Sequence, residues 1–237
     1  MKTEKVYSIH FDFRQKEQKR ILEYMQQRGY KLLGFKGAEG DGQVAGIPVW
    51  FSVPYIRMAG EVRNVYQSLY KVYYVDSSTA SDKAIRMTAL SEVVELGSKV
   101  TLQKDGHFTV EPGGPENAIL FINNRAVDSG TITVGLASLI NGSYAPFCAF
   151  KAVPQKPLHM APNDKICLFA VPTVTRAGSV AAQAVTEGAL FELDAPHNCL
   201  HLKMKQEGDG FNPVSWGMPV REVHPGDPLT QLMDCHH

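Results

Sequence analysis

Cysteine is scarce in this sequence, and it does not occur in the spacing of a redox or zinc motif. The four cysteines are Cys148, Cys167, Cys199 and Cys235, and no two of them form a C-x-x-C pair. Their density is far below that of small secreted domains held together by disulfides. Cys148 and Cys167 each lie in an apolar stretch, which favours two buried thiols that pack as small apolar groups. A cross-strand disulfide between them is the alternative.

Net charge and long hydrophobic segments are also lacking. The 24 basic and 24 acidic residues cancel. The chain therefore has no overall positive field to hold nucleic acid, and we expect no nucleic-acid partner. Attraction to an anionic membrane would need a local basic patch. No apolar stretch approaches the roughly 18 residues of a transmembrane helix, and residues 1–20 lack the apolar core of a signal peptide. We expect a soluble, cytoplasmic protein with no transmembrane segment.

The common catalytic and cofactor-binding fingerprints are missing as well. The sequence contains no G-x-S-x-G, P-loop, G-x-G-x-x-G or H-E-x-x-H motif and no EF-hand loop. Enzyme classes that carry these motifs are excluded, but an enzyme whose catalytic residues are scattered along the chain is not. No cofactor is indicated, and the sequence leaves open whether the protein is an enzyme.

What the sequence does contain is the alternation typical of β-strands. Tyr7, Ile9, Phe11 and Phe13 alternate with polar residues, and this period of two predicts a strand with one buried face. After Gly29, runs rich in β-branched and aromatic residues recur between turn signals. The turns are spaced as in antiparallel sandwiches and barrels, and the helices that βαβ units would require between strands are missing.

One segment near the N-terminus follows a helical period instead. Ile21, Leu22 and Met25 recur at helical spacing before a glycine, which predicts an α-helix over about residues 14–28. The predicted fold class is therefore mainly β, an antiparallel β-sandwich of one or two lobes with one N-terminal α-helix.

The domain organisation has two interpretations. Residues 1–237 are predicted to form a single β-rich domain. In the alternative, the polar and turn-prone stretch 76–84 links an N-terminal lobe, residues 1–80, to a β-sandwich lobe, residues 81–237. The proline- and glycine-rich tail, residues 208–237, is expected to lie over the surface.

Aromatic residues suggest the first functional hypothesis. Trp50, Tyr55 and Trp216 occur in strand-like or turn-rich stretches, and exposed aromatic rings on β-proteins offer flat apolar faces to ligands. This favours a non-catalytic, lectin-like binding module for a carbohydrate or a lipid-like small molecule, as a monomer or a homo-oligomer. In the alternative the rings simply pack the sandwich. A further hypothesis is a membrane-active β-sandwich protein that presents aromatic loops to lipid.

A short stretch of histidine and cysteine suggests a second, enzymatic hypothesis. On a strand, His197, Cys199 and His201 would project from one face, and imidazole and thiolate are good ligands for zinc. The site would belong to a metal-assisted enzyme with scattered residues, with a fourth ligand from the tail, which offers His224, Cys235 and His236. In the alternative, His197 lies in a loop, Cys199 is in the core and His201 is exposed.

His10 lies on the polar side of the first strand. There it could pair with Asp12, and we interpret it as a surface histidine.

Overall fold

The computed structural model describes residues 6–44, 46–75, 84–172, 175–193, 198–207, 210–215 and 219–233. Its strands are β1 (Val6–Asp12), β2 (Lys31–Gly40), β3 (Ile47–Pro48), β4 (Phe51–Pro54), β5 (Glu61–Val75), β6 (Ala89–Leu90), β7 (Ser98–Leu102), β8 (Phe108–Pro112), β9 (Ile119–Asn123), β10 (Ile132–Ile140), β11 (Ser143–Pro146), β12 (Phe150–Ala152), β13 (Pro157–Val171), β14 (Val180–Ala181), β15 (Gly188–Glu192), β16 (Cys199–Glu207), β17 (Gly210–Ser215) and β18 (Arg221–Val223). The helices are α1 (Lys16–Gln27) and α2 (Leu229–Met233), with single 3₁₀ turns at Tyr55–Arg57 and Val127–Ser129.

Two large sheets contain most of these strands. The first sheet has the order β11-β10-β5-β1-β16-β17, with β12 on β10 and β6 on β5. The second has the order β18-β15-β13-β9-β7-β8, with β2 on β13 and β4 on β2. Both sheets contain strands from before and after residue 80, so the hydrogen-bonded pairing does not separate the chain at that point.

The main hydrophobic core lies between the two sheets. The burial of alternate side chains that the sequence predicts for β1 is observed, since Tyr7, Ile9 and Phe11 are buried in this core. Leu200 and Leu202 of β16 reach it from the same sheet, and residues of the second sheet close it from the other side. Burial of such side chains contributes about 1.5–3 kcal/mol each, which makes this core the main source of stability.

These features confirm the predicted mainly β fold class and its N-terminal helix. Two details differ from the prediction. The short helix α2 near the C-terminus has no clear helical signal in the sequence, and two strand pairs in the described part of the chain, β1–β16 and β7–β9, are parallel. A parallel pair cannot be joined by a tight turn, and β1 and β16 indeed come from opposite ends of the chain.

The tail does more than cover the surface. Strand β17 extends the first sheet and β18 extends the second. Val223, Leu229 and Met233 are buried in a second apolar cluster on the outer side of the second sheet. None of the described helices is long and apolar enough to cross a membrane.

The core also contains a lysine. The side chain of Lys36 in β2 is fully buried. Its ammonium group donates a hydrogen bond to the carbonyl of Asn163, lies 3.7 Å from an Asp164 carboxylate oxygen, and lies 4.9 Å from the centre of the Tyr66 ring. The carbonyl is available because the pairing of β13 with β2 breaks between Pro162 and Ile166. A buried charge persists only when it is paired and hydrogen-bonded in this way.

Candidate metal centre

The structure places the predicted ligand-binding aromatic residues in the interior. Trp50 and Tyr55 are both 0% exposed, so the prediction that their rings are exposed is wrong. Trp50 packs edge-on against Tyr66, and the Tyr55 hydroxyl donates to the sulfur of Met204 at 3.4 Å. Large aromatic side chains remove the most apolar surface from water when they are buried. Here that burial stabilises the core and leaves neither ring accessible to a ligand. Trp216 lies outside the described residues.

Cys199 and His201 share the outer face of the first sheet. They alternate along β16 with Leu200 and Leu202, which point into the core. The Cys199 sulfur lies 3.3 Å from Nε2 of His201. The spacing of the two residues predicts this arrangement, since side chains two apart on a strand point the same way. His197, the third residue of the predicted site, lies outside the described residues, as do Cys235 and His236. His224 does lie in a described segment, directly after β18.

The third member of the cluster is His10, which comes from the other end of the chain. In the parallel pair β1–β16, His10 is the register partner of His201, and Ser8 is the partner of Cys199. The two imidazole rings are 5.2 Å apart, centre to centre. One ligand atom from each of His10, Cys199 and His201 lies within 4.8 Å of the others. We refer to these three residues as the His–Cys–His cluster.

His10 cannot be recognised as a ligand from the sequence, because the strand neighbour that faces it cannot be read from the chain. The only available signal was that a histidine occupies the polar side of β1. A histidine at such a position is usually a surface residue, and nothing local connects residue 10 with residue 201.

The surroundings of His10 favour the neutral imidazole that binds metals. Burial lowers the pKa of His10 below its ordinary value, electrostatic interactions with Arg63 and His201 lower it further, and Glu61 opposes them. Nε2 of His10 is buried and has no hydrogen-bond partner within the part of the chain that the structure describes. Its Nδ1 lies 3.9 Å from a carboxylate oxygen of Glu61. In many metal sites a carboxylate orients a ligating histidine from this side.

A groove of about 430 Å³ opens beside the cluster and is lined by His10 and His201. Charged side chains form its rim. The Arg14 guanidinium donates to both carboxylate oxygens of Asp12 at 2.8 Å and lies 3.6 Å from Glu61. This hydrogen bonding to Arg14 lowers the pKa of Asp12 to about 2. The carboxylates of Asp12 and Glu61 therefore interact with Arg14, and the two imidazoles line the same groove.

One of the ligand distances already matches a tetrahedral zinc site, while the three ligand atoms together spread to 4.8 Å. With zinc–sulfur and zinc–nitrogen bonds of about 2.3 and 2.0–2.1 Å, ligand atoms in a tetrahedron lie roughly 3.3–3.6 Å apart. The 3.3 Å between Cys199 and His201 is already in this range. His10 would close the remaining distance through a small side-chain rotation.

Comparison of the chain with protein-family models, curated proteins and solved structures gives no match. A functional proposal for this protein therefore depends on the geometry of its own residues.

Proposed function

We propose that this protein binds a divalent transition metal ion, best matched by zinc, through His10, Cys199 and His201. The observation that supports the proposal is the convergence of two imidazoles and one thiol from strands at opposite ends of the chain, with ligand atoms within 4.8 Å of one another. Nε2 of His10 is buried and has no hydrogen-bond partner among the described residues, and a metal ion would compensate the interaction with water that it loses on burial.

The number of ligands favours a reactive site over a purely structural one. Structural zinc sites usually have four protein ligands, whereas catalytic sites have three and keep the fourth position for water or substrate. Among the described residues the cluster offers three ligands, and two of them, His10 and His201, line a groove of about 430 Å³. A zinc ion at such a position lowers the pKa of a bound water and makes it a nucleophile near neutral pH. The proposed reaction class is metal-assisted hydrolysis.

The residues around the cluster would assist in defined ways. Glu61 would accept a hydrogen bond from Nδ1 of His10 and orient the ring. Arg14 and Lys203, which line the same groove, would attract a negatively charged substrate group. Asp12 keeps Arg14 in position through its two-oxygen hydrogen bonding.

Isothermal titration calorimetry with zinc tests the proposal. Because the tail carries Cys235, His236 and His237, the titration is run on the full chain and on a full-length C235S/H236A/H237A variant. We expect one zinc ion per chain in this variant, and an affinity about 100-fold or more lower after His10→Ala or His201→Ala, since even outer-shell changes cost about 10–100-fold.

The matched control is His107→Ala, which removes an exposed hairpin histidine. It should leave the titration unchanged. Loss of zinc binding with the tail substitutions alone, or equal affinities for the His10→Ala and His107→Ala variants, would refute the proposed site.

The carbohydrate- or lipid-binding hypothesis stays an untested prediction. The exposed rings on which it depends are not supplied by Trp50 and Tyr55, which are buried.

A further inference from the structure

A second groove, of about 700 Å³, lies between helix α1 and strands β16 and β17. Four of its lining residues are basic: Lys16 and Arg20 on the helix, and Lys203 and Lys205 on β16. We refer to it as the basic groove. Glu17 is its only acidic lining residue within the described part of the chain, so the lining has a net charge of four minus one, or plus three. The whole chain, in contrast, is neutral.

The two walls of the basic groove are held together by Gln18. This buried side chain forms hydrogen bonds with both the backbone carbonyl and the backbone N–H of Met204, at 2.9 and 2.8 Å. Gln18 lies between Lys16 and Arg20 in sequence, and Met204 lies between Lys203 and Lys205. The contact therefore fixes the basic side chains of the helix opposite those of the strand.

Like charges lie close together on each wall of the basic groove. Lys16 and Arg20 are four residues apart on a helix, where like charges destabilise by about 0.2–0.5 kcal/mol. Lys16 also lies in the first turn of α1, where the helix dipole favours negative charge. Lys203 and Lys205 share the outer face of β16, two residues apart. A multiply charged anion between the two walls would offset all of these repulsions.

We propose that the basic groove binds a small molecule that carries two or more phosphate groups. Cations on both walls require a ligand with negative charge at two points, and Arg20 can contact a phosphate through two parallel hydrogen bonds. The volume of the groove lies within the usual 300–1,000 Å³ of small-molecule sites. The proposal does not require the metal site, although Lys203 lines both grooves.

The test uses the full-length protein in EDTA, which removes any contribution from bound metal. Inorganic tripolyphosphate and inositol hexakisphosphate are titrated as free phosphates. Vesicles of phosphatidylcholine with and without phosphatidylinositol 4,5-bisphosphate serve as the lipid arm. We expect one free phosphate ligand per chain, with affinity that falls as salt is raised. Binding only to the bisphosphate vesicles would support the same site and identify a lipid headgroup as the source of phosphate.

Two substitutions that remove the same charge distinguish binding in this groove from non-specific electrostatic attraction of the ligand to the protein surface. Arg20→Gln removes a lining cation and should weaken binding about tenfold, the effect of one charge-assisted hydrogen bond. Lys19→Gln removes an exposed cation on the same helix that does not line the groove, and it should leave the affinity within about twofold. Both side chains are exposed, so both variants should fold, which circular dichroism verifies.

No binding of either free phosphate or of the bisphosphate vesicles would overturn the proposal, and so would equal weakening by Arg20→Gln and Lys19→Gln. Repeating the titration with His10→Ala separates the two proposals. Phosphate binding that persists in this variant supports the basic groove even where the zinc titration has failed.

Discussion

The side-chain amide of Gln18 takes the place of a neighbouring strand for the backbone of Met204. Strand β1 ends at Asp12 and pairs with β16 only as far as Leu202. Two residues further along, the Met204 N–H donates to Oε1 of Gln18, and Nε2 of Gln18 donates to the Met204 carbonyl. The pairing of β16 thus continues onto a helix from the other end of the chain, which satisfies two buried backbone groups.

Replacement of this amide should therefore destabilise the protein strongly. Gln18→Leu keeps a side chain of similar size but leaves the Met204 N–H and carbonyl without partners, and each unsatisfied buried group costs about 1–3 kcal/mol. We expect a loss of about 2–6 kcal/mol in the free energy of unfolding, measured by urea denaturation. Gln27→Leu, on an exposed position of the same helix, should change it by less than about 0.5 kcal/mol. Equal effects of the two substitutions would show that the contact does not hold the helix in place.

Thiol reactivity should distinguish the cysteines. Burial raises the pKa of Cys148 to about 12 and that of Cys167 well above its ordinary value, so both thiols stay protonated and inaccessible at neutral pH. Cys199 is only partly buried. In a Cys235→Ser variant we expect one fast-reacting thiol per native chain with a disulfide reagent, and three in urea.

Zinc should protect that single thiol, because a coordinated sulfur is blocked from attack. The same protection should be absent in the His201→Ala variant of the Cys235→Ser chain. Fast reaction of a second thiol in the native protein would contradict the burial of Cys148 and Cys167. An unchanged rate at Cys199 in saturating zinc would count against its place in the metal site.

Alkaline pH should unfold the protein cooperatively because of its buried tyrosines. Burial raises the pKa values of Tyr55, Tyr66, Tyr70 and Tyr73 above the ordinary value of about 10. Below pH ~10 these hydroxyls are protonated in both states, and their effect on stability does not change with pH. Above it, the unfolded chain loses protons that the folded chain keeps, so stability falls as pH rises, by about 1.4 kcal/mol per pH unit for each tyrosine.

Tyrosinate absorbance and circular dichroism, followed together in an alkaline titration, check this expectation. The absorbance of these four residues should rise only as the secondary structure is lost. Tyr55→Phe removes one titrating hydroxyl and should reduce the slope of stability against pH by about 1.4 kcal/mol per unit. Ionisation of all the tyrosines while the fold persists would contradict the prediction.

Much of the fold could be predicted from local patterns. The alternation from Tyr7 to Phe11 placed three side chains in the core, and the helical spacing of Leu22 and Met25 placed α1 within about two residues of its observed bounds. The period of two also put Cys199 and His201 on one face. These properties follow from the backbone geometry of a single strand or helix, and neighbouring residues are enough to determine them.

Other features depended on partners distant in the chain. The sequence could not show that Trp50 and Tyr55 face the core, because Trp50 lies just before β4 and Tyr55 lies in a 3₁₀ turn, where no strand period assigns a side chain to one face. It could not place β17 and β18 in the two sheets either, although the tail that contains them is rich in proline and glycine. Which surface becomes buried is decided by what packs against it, and that is a property of the assembled fold.

The sequence by itself determined that the protein is built mainly from strands, whose side chains point alternately to two faces. It also determined which residues of each strand share a face. Only the tertiary structure decided that β1 lies beside β16 in parallel, with His10 opposite His201. The physical reason is that hydrogen bonding between strands is the same for any sequence. The choice of neighbour and register is made by the combined burial of Ile9, Leu200 and the rest of the core.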